Sequence, residues 1–334
     1  MKVIYSNCLG SFAVEKEIVD SILFDSKNAV EKCIQLENGQ IIEEEKKLLK
    51  KFPDALFLNN KKEKVRQLED ISKIQQIISL FSSKSKEFFE TELRVAKRKI
   101  RESVNFDNLI INASDSLDEL NRCINMLSRR LREWFGLHCP EISRKISDNI
   151  FFAEEITKKT KKDFLKELKI SEDDSMGANL GEYDVLQIRD LAEQIVNLSR
   201  LKERQEDYIN ELMKKNCPNL REVAGPTMGA KLIALAGSFE RLAALPASTV
   251  QILGAEKALF RHIKTGAKSP KHGIILNHPL IMFSSAKGKA SRLLADKISI
   301  AAKIDFFKGK FIGDELMIEL QKKLGVKNGS KSLS

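Results

Sequence analysis

The stretch SLDELNRCINMLSRRLREWF, residues 116–135, places Leu117, Leu120, Ile124, Leu127, Leu131 and Trp134 at intervals of three, four, three, four and three. That spacing returns side chains to one face of an α-helix, so it predicts a helix with an a/d stripe. Gly136 and Pro140 interrupt it. A second helix is predicted beyond them, carrying Ile142, Ile146, Ile150, Ala153, Ile156, Phe164 and Leu168. A third runs from Tyr183 to about Lys215, with Ile188, Ala192, Ile195, Leu198, Leu201, Tyr208 and Leu212 facing one way. Between these two, SEDDSMGANLGE (residues 171–182) is polar with two glycines and reads as the tip of an antiparallel hairpin. At ~1.5 Å per residue, about 28 residues reach roughly 40 Å. So long an element exceeds what one small domain covers, which suggests an arm for self-association or spacing. An ordinary bundle core is the alternative.

Outward from the hairpin the composition changes twice. Towards the N-terminus, VIYSNCLG and SFAVEKEIVDSILF are β-branched and aromatic, with Gly10 between them, and predict a strand pair. A helical pattern follows from Lys27 to Lys51, with a break at Asn38-Gly39. Pro53 precedes a short strand-like run, residues 55–58, and two charged helical stretches are predicted over residues 63–81 and 86–104. Beyond Cys217-Pro218 small residues become dense, as in GPTMGAKLIALAG (residues 225–237), which fits a compact all-helical domain of closely packed helices ending near Leu324. The expected fold is therefore mainly α. A small α/β domain spans 1–115, a helical lead-in and long antiparallel coiled-coil hairpin 116–219, an all-helical domain 220–325, and a flexible tail 326–334.

The chain has 334 residues and a formal net charge of +10. The excess is local: residues 221–334 hold 19 Lys and Arg against 8 Asp and Glu, whereas residues 1–220 hold 38 against 39. The C-terminal third is thus the candidate phosphate-facing surface, with a merely soluble basic surface as the alternative. Cys8, Cys33, Cys123, Cys139 and Cys217 form no CxxC pair and are odd in number, which suggests reduced thiols and neither a disulfide framework nor a zinc site. No apolar run approaches a bilayer-spanning length, and the N-terminus lacks the pattern of a signal peptide. A cytoplasmic protein without a membrane partner is expected.

Catalytic motifs are absent. His138, His262, His272 and His278 lie in no HExxH-like pattern. GPTMGAK is one residue short of a phosphate loop and has no Ser or Thr after Lys231. No metal, no cofactor and no enzymatic activity are expected, although a site assembled from distant residues would escape a search for motifs.

Residues 245–280, LPASTVQILGAEKALFRHIKTGAKSPKHGIILNHPL, carry more. Ser248 or Thr249 suits a helix cap, Gly254 breaks the apolar run, and residues 255–263 predict a second short helix. The loop KTGAKSPKHG then offers Lys264, Lys268, Lys271 and His272. Lysines reach phosphates, while an imidazole or the Arg261 plane stacks on splayed bases, a combination suited to irregular RNA. A flexible basic loop is the plain alternative. Further on, Lys287, Lys289, Arg292, Lys297 and Lys303 recur in a helix whose apolar side is Leu293, Leu294, Ile298, Ala301 and Ile304. Lys289, Arg292 and Lys303 are candidates for a basic face, or for an ordinary solvated one.

PASTVQILGAEKALFRHIKTGAKSPKHGIILNHP (residues 246–279) resembles, nearly position for position, the central signature of the Nop-domain family, the core scaffold proteins of box C/D ribonucleoproteins. NMLSRRLREWFGLHCPEIS (125–143), GAKLIALAGSFERLAALP (229–246) and ISIAAKIDFF (298–307) are similar to the same family. The short C-terminus and the PKHG loop look most like its archaeal single-copy member. The resemblance implies an N-terminal domain that docks the methyltransferase fibrillarin, a coiled coil that pairs two copies, and a Nop domain that grips a box C/D guide RNA already bound by a kink-turn-binding ribosomal-type protein. It implies that S-adenosylmethionine is bound by the methyltransferase and not by this chain. Carried over by position, Gln251, Leu253, Gly254, Ala255, Glu256 and Lys257 would lie near the protein partner. Arg261, His262, Lys264, Lys268, Lys271 and His272 would lie near RNA, with Lys289 and Arg292 as further RNA candidates. The N-terminal part departs most from the family pattern and leaves the docking residues unassigned. Alternatives are a spliceosomal-type Nop-domain assembly factor and a coiled-coil adaptor without an RNA role.

Overall fold

The computed structural model describes residues 2–25, 27–59, 65–68, 70–81 and 85–325. The chain divides into two compact units, residues 1–105 and 106–334.

In the first unit β1 (Val3–Asn7) and β2 (Gly10–Val14) pair antiparallel, from Val3 opposite Val14 to Asn7 opposite Gly10. A third strand, β3 (Ile18–Leu23), joins β2, and β4 (Leu56–Phe57) runs parallel to β1, giving the order β3-β2-β1-β4. The sequence predicts two strands divided at Gly10; there are three before residue 24, and Gly10 opens the second. A Cβ on Gly10 would sit 2.5 Å from the Ile22 carbonyl oxygen, so its lack of a side chain lets β3 close against β2. Helices α1 (Ala29–Glu37) and α2 (Glu43–Lys51) follow, separated at Asn38-Gly39 as expected. Glu45 of α2 is fully buried and accepts from Ser6 Oγ at 2.8 Å and from the Ile42 amide at 3.2 Å. The helix expected over 63–81 is shorter. It is α3 (Ile71–Ser79), begun where the Asp70 carboxylate accepts the Ser72 amide, while Gln67 bridges to Phe57; residues 60–64 lie outside the described ones. The unit ends with α4 (Ser85–Ser103).

Among the described residues, the second unit has helices and no strand. It opens with α5 (Phe106–His138), which continues through Gly136 and begins ten residues before the boundary read from the sequence. Its partner is α9 (Glu182–Asn216). Ile110, Ala113 and Leu117 share a core with Ile209 and Met213, whereas Ile124, Leu131 and Phe135 share one with Ile188, Ala192 and Ile195, so the two helices run antiparallel. Leu117, Ile124 and Leu131 of the stripe are buried, and Trp134 is exposed. The stripe is therefore covered within its own unit. On α9 the position read as Tyr208 is exposed, and Ile209 takes the buried place.

The second predicted helix is three: α6 (Pro140–Lys145), α7 (Asn149–Lys158) and α8 (Lys161–Leu168). The breaks are chemical. The Asp148 carboxylate accepts the Phe151 amide at 2.7 Å, and Thr160 with Asp163 forms a capping box. The hairpin's long helices are thus α5 and α9, with the short ones packed at their join. Residues 171–181 are not a bare tip. Ala178 N donates to Leu137 O at 2.8 Å, Met176 N to Glu141 Oε1 at 2.9 Å, and a Cβ on Gly177 would lie 2.0 Å from the His138 carbonyl oxygen.

After α9 come α10 (Pro218–Ala224), α11 (Pro226–Ala236), α12 (Phe239–Ala244) and α13 (Ala247–Ile252). Then follow α14 (Glu256–Thr265), a 3-10 turn (Ile274–Asn277), α15 (Pro279–Met282), α16 (Lys287–Phe306) and α17 (Gly313–Leu324). One apolar core joins them to the outer ends of α5 and α9. Small residues permit the close approach: a Cβ on Gly229 would come within 2.7 Å of Met213 Cε. Asp305 at the end of α16 accepts the Asn219 amide (3.2 Å), Asn219 Nδ2 (2.7 Å) and the Leu220 amide (2.8 Å), so a buried carboxylate holds the start of α10.

Candidate nucleic-acid interface

Helix α14 has no buried residue, unlike its neighbours in the unit. It is held at its two ends. At its start Gly254 takes φ +83°, a conformation that favours glycine, and its amide donates to Glu256 Oε1 at 2.7 Å. Ser248 and Thr249 do not cap the preceding helix, because α13 already begins behind Pro246. At its end Gly266, at φ +67°, terminates α14 and the Gly266 amide donates to His262 O. The His262 ring then bonds the Ala267 carbonyl, folding the loop back on the helix.

The far side of the loop is stitched to α13. The Gly273 amide donates to Gln251 O, the Ile274 amide to Leu253 O, both at 2.8 Å, and Gln251 Nε2 to Lys271 O at 2.6 Å. A Cβ on Gly273 would fall 1.8 Å from Leu253 O, so glycine is required there. The loop is thereby anchored at both ends while Arg261, Lys264, Lys268 and Lys271 stand exposed; His262 and His272 are half-buried.

Of the residues read as partner-facing, Leu253 is buried and belongs to the core. Gln251 and Ala255 are half-buried, and Gly254, Glu256 and Lys257 are exposed. Gln251 and Glu256 are engaged in holding the loop and the helix start. Lys289 and Arg292 are exposed on α16, a separate element, and share its face with Asp296 and Lys303. Lys297 does not belong with them: it is buried and pairs with Glu319 at 2.5 Å. Four apolar residues escaped the sequence reading. Phe260 and Ile263 of α14, next to Arg261 and Lys264 in the chain, are exposed, and so are Met282 and Phe283 beyond the 3-10 turn. A helix that leaves an aromatic at 260 and an isoleucine at 263 without a core partner was the available signal.

The second unit is thus a helical module that presents an exposed helix and a braced cationic loop from a closed core. The chain belongs to the Nop family: the model described as "snoRNA binding domain, fibrillarin" matches residues 116–325. A NOP5 family protein of Methanocaldococcus jannaschii is 42% identical over 234 residues, covering 65% of this chain and 56% of that protein. Nucleolar protein 56 of Schizosaccharomyces pombe is 40% identical over 234 residues (64% and 47%), and that of Homo sapiens 36% over 255 residues (69% and 43%). The chain spans about half the length of the curated relatives it matches. A chain of a fibrillarin/Nop5p crystal structure aligns with 97% of this chain and 99% of that one at 23% identity, with a TM-score of 0.42.

Proposed function

We propose that this chain is a non-catalytic scaffold of a box C/D RNA-guided 2′-O-methylation particle, working in the cytoplasm. In this reading the second unit grips guide RNA together with a kink-turn-binding protein, and the first unit docks fibrillarin. The fibrillarin binds S-adenosylmethionine and methylates rRNA or tRNA. The α5–α9 pair brings a second copy. The scaffold raises the rate by positioning enzyme and target ribose, not by chemistry of its own.

The observation that carries the reading is that the Nop-family match includes a loop braced at both ends, with Lys268 and Lys271 exposed on it and Arg261 and Lys264 exposed on the helix that leads into it. Such a loop meets phosphates with little ordering left to do on binding. The exposed Phe260 and Ile263 beside it suit a protein surface or an unstacked base, consistent with a composite RNA–protein partner.

The test is a gel-shift titration with a kink-turn box C/D RNA, with and without the kink-turn protein. It includes the triple variant Lys264→Glu, Lys268→Glu, Lys271→Glu. Tight binding only with the protein present, lost in the variant, is the expected result. Equal binding to any RNA regardless of the partner would reduce the function to generic basic binding, and no RNA binding would leave the adaptor.

A further inference from the structure

Helix α16 runs out into Phe307-Lys308-Gly309-Lys310-Phe311, two aromatics around two lysines. Phe307 is 77% exposed and Phe311 50%, and both lysines are exposed. Lys303, one helical turn before Phe307, is exposed as well. Lys231, Lys297 and Lys323 are held in ion pairs, whereas Lys303, Lys308 and Lys310 form none among the described residues.

The segment is a braced turn. The Phe307 amide donates to Lys303 O (3.0 Å), the Lys308 amide to Asp305 O (3.1 Å) and the Gly309 amide to Ile304 O (2.8 Å), closing the helix end. Buried Asn219 of α10 ties down the far side: its Oδ1 accepts the Ile312 amide at 2.7 Å and its Nδ2 donates to Lys310 O at 3.4 Å. The Phe307 ring stands edge-on to Phe306, 5.2 Å between centroids, and Phe306 meets the buried Phe239 at 5.9 Å. Lys308 takes φ +53° and is one of two non-glycine residues at positive φ among the described residues. Glycine is the default where a helix closes in this way, so a lysine there costs stability. Strain of that kind clusters at binding sites.

We propose that this turn is a stacking site for unpaired RNA nucleotides. Phe307 and Phe311 take the faces of splayed bases, and Lys303, Lys308 and Lys310 meet the phosphates that join them. Asp314 and Glu315, exposed at the start of α17, oppose the lysines, so charge alone does not hold RNA here and the rings have to contribute. A duplex keeps its base faces stacked inside and is not the ligand. The site is separate from the α14 loop and from Lys289, which stands roughly 27 Å away along α16 at ~1.5 Å per residue. The choice of RNA rests on the scaffold reading above; the stacking site does not depend on the α14 loop.

Fluorescence anisotropy of a labelled oligouridylate tests it, with the full chain carrying Lys264→Glu, Lys268→Glu and Lys271→Glu so that the turn is read without the α14 loop. Saturable binding, roughly tenfold or more tighter than to a blunt RNA duplex, is expected. Phe307→Ala should weaken it roughly tenfold. Lys308→Gly removes a phosphate contact and the backbone strain together. Binding should weaken and the slope of log K against log salt should shrink by about 0.7, while the thermal midpoint does not fall. A merely structural residue would not lose affinity while stability is kept. No saturable binding, a duplex bound as tightly as the single strand, or Phe307→Ala and Lys308→Gly variants that bind like their parent would each overturn the proposal. Those outcomes leave the kink-turn titration untouched, and failure of that titration leaves this one standing.

Discussion

His278 sits at the start of α15, 7% exposed, with its Nδ1 accepting the Leu280 amide at 3.3 Å and its ring bonded to the backbone of Val223. Burial disfavours the imidazolium and lowers the pKa to about 4, against which the Val223 bond works only in part. The neutral ring is the form that fits. Stability from this group is therefore complete above the unfolded pKa of about 6.5 and is lost as the pH falls from there towards 4, below which both states bind the proton. The gap corresponds to roughly 3 kcal/mol at most. Urea unfolding of the parent and of His278→Asn across pH 4–7 measures it. The variant keeps an acceptor for the Leu280 amide, so it should cost only about 1 kcal/mol at pH 7. Its stability should then fall less steeply with acid than the parent's, by up to ~1.4 kcal/mol per pH unit. Parallel curves for the two proteins would show that His278 does not titrate on unfolding.

At the scale of the element, one arginine organises the break between α5 and α7. Arg132 spends all five guanidinium N–H groups on the turn it faces. Nη1 donates to Ser143 O (2.9 Å) and Ile146 O (2.7 Å), Nη2 to Ser147 O (2.9 Å) and Asp148 O (3.2 Å), and Nε to Asn149 Oδ1 (2.8 Å). The plane also lies over the Phe152 ring, 4.5 Å from its centroid. A lysine keeps the charge but not the planar fork, and leaves several of these carbonyls unpaired. Arg132→Lys is expected to destabilise the second unit by about 2 kcal/mol in denaturant titration; a loss below about 0.5 kcal/mol would mean that solvent replaces the fork at no cost. The same region shows what the sequence makes legible. The stripe from Leu117 to Leu131 was readable because helical spacing is local. So was the run from Tyr183 onwards, and so was the short helix after Gly254. The capping signals at Asp148 and Thr160-x-x-Asp163 were equally local, but the apolar periodicity of 142–168 masked them, and one helix was read where three exist. The burial of Lys297 was not legible at all, for a different reason: its partner is Glu319, 22 residues away on another helix, which no local pattern reveals. The cationic loop was legible as composition. Its bracing by Gly273, Gln251 and the His262 ring was not, because those bonds join segments whose approach only the fold decides.

Over the whole molecule, the charge map gives a quantitative expectation for RNA binding. The excess of +10 lies entirely beyond residue 220, yet not every cation there is free to meet a phosphate. Lys297 and Lys323 both pair with Glu319, and Lys231 pairs with Asp118. Arg261, Lys264, Lys268 and Lys271 are exposed on the braced loop and its helix, and these are the cations expected to displace counterions. Each phosphate contact contributes roughly −0.7 to −0.9 to the slope of log K against log salt, so four contacts predict a slope of about −3. The Lys264, Lys268, Lys271 charge-reversal variant should bring that slope close to zero as well as weaken binding. Substitutions at Lys297 and Lys231 should leave it unchanged, even where they lower stability. A parent slope much steeper than −3 would mean that a second cationic surface, with Lys289 and Arg292 as its first candidates, contributes to the complex. A slope that survives the triple reversal would move the RNA site off the loop altogether.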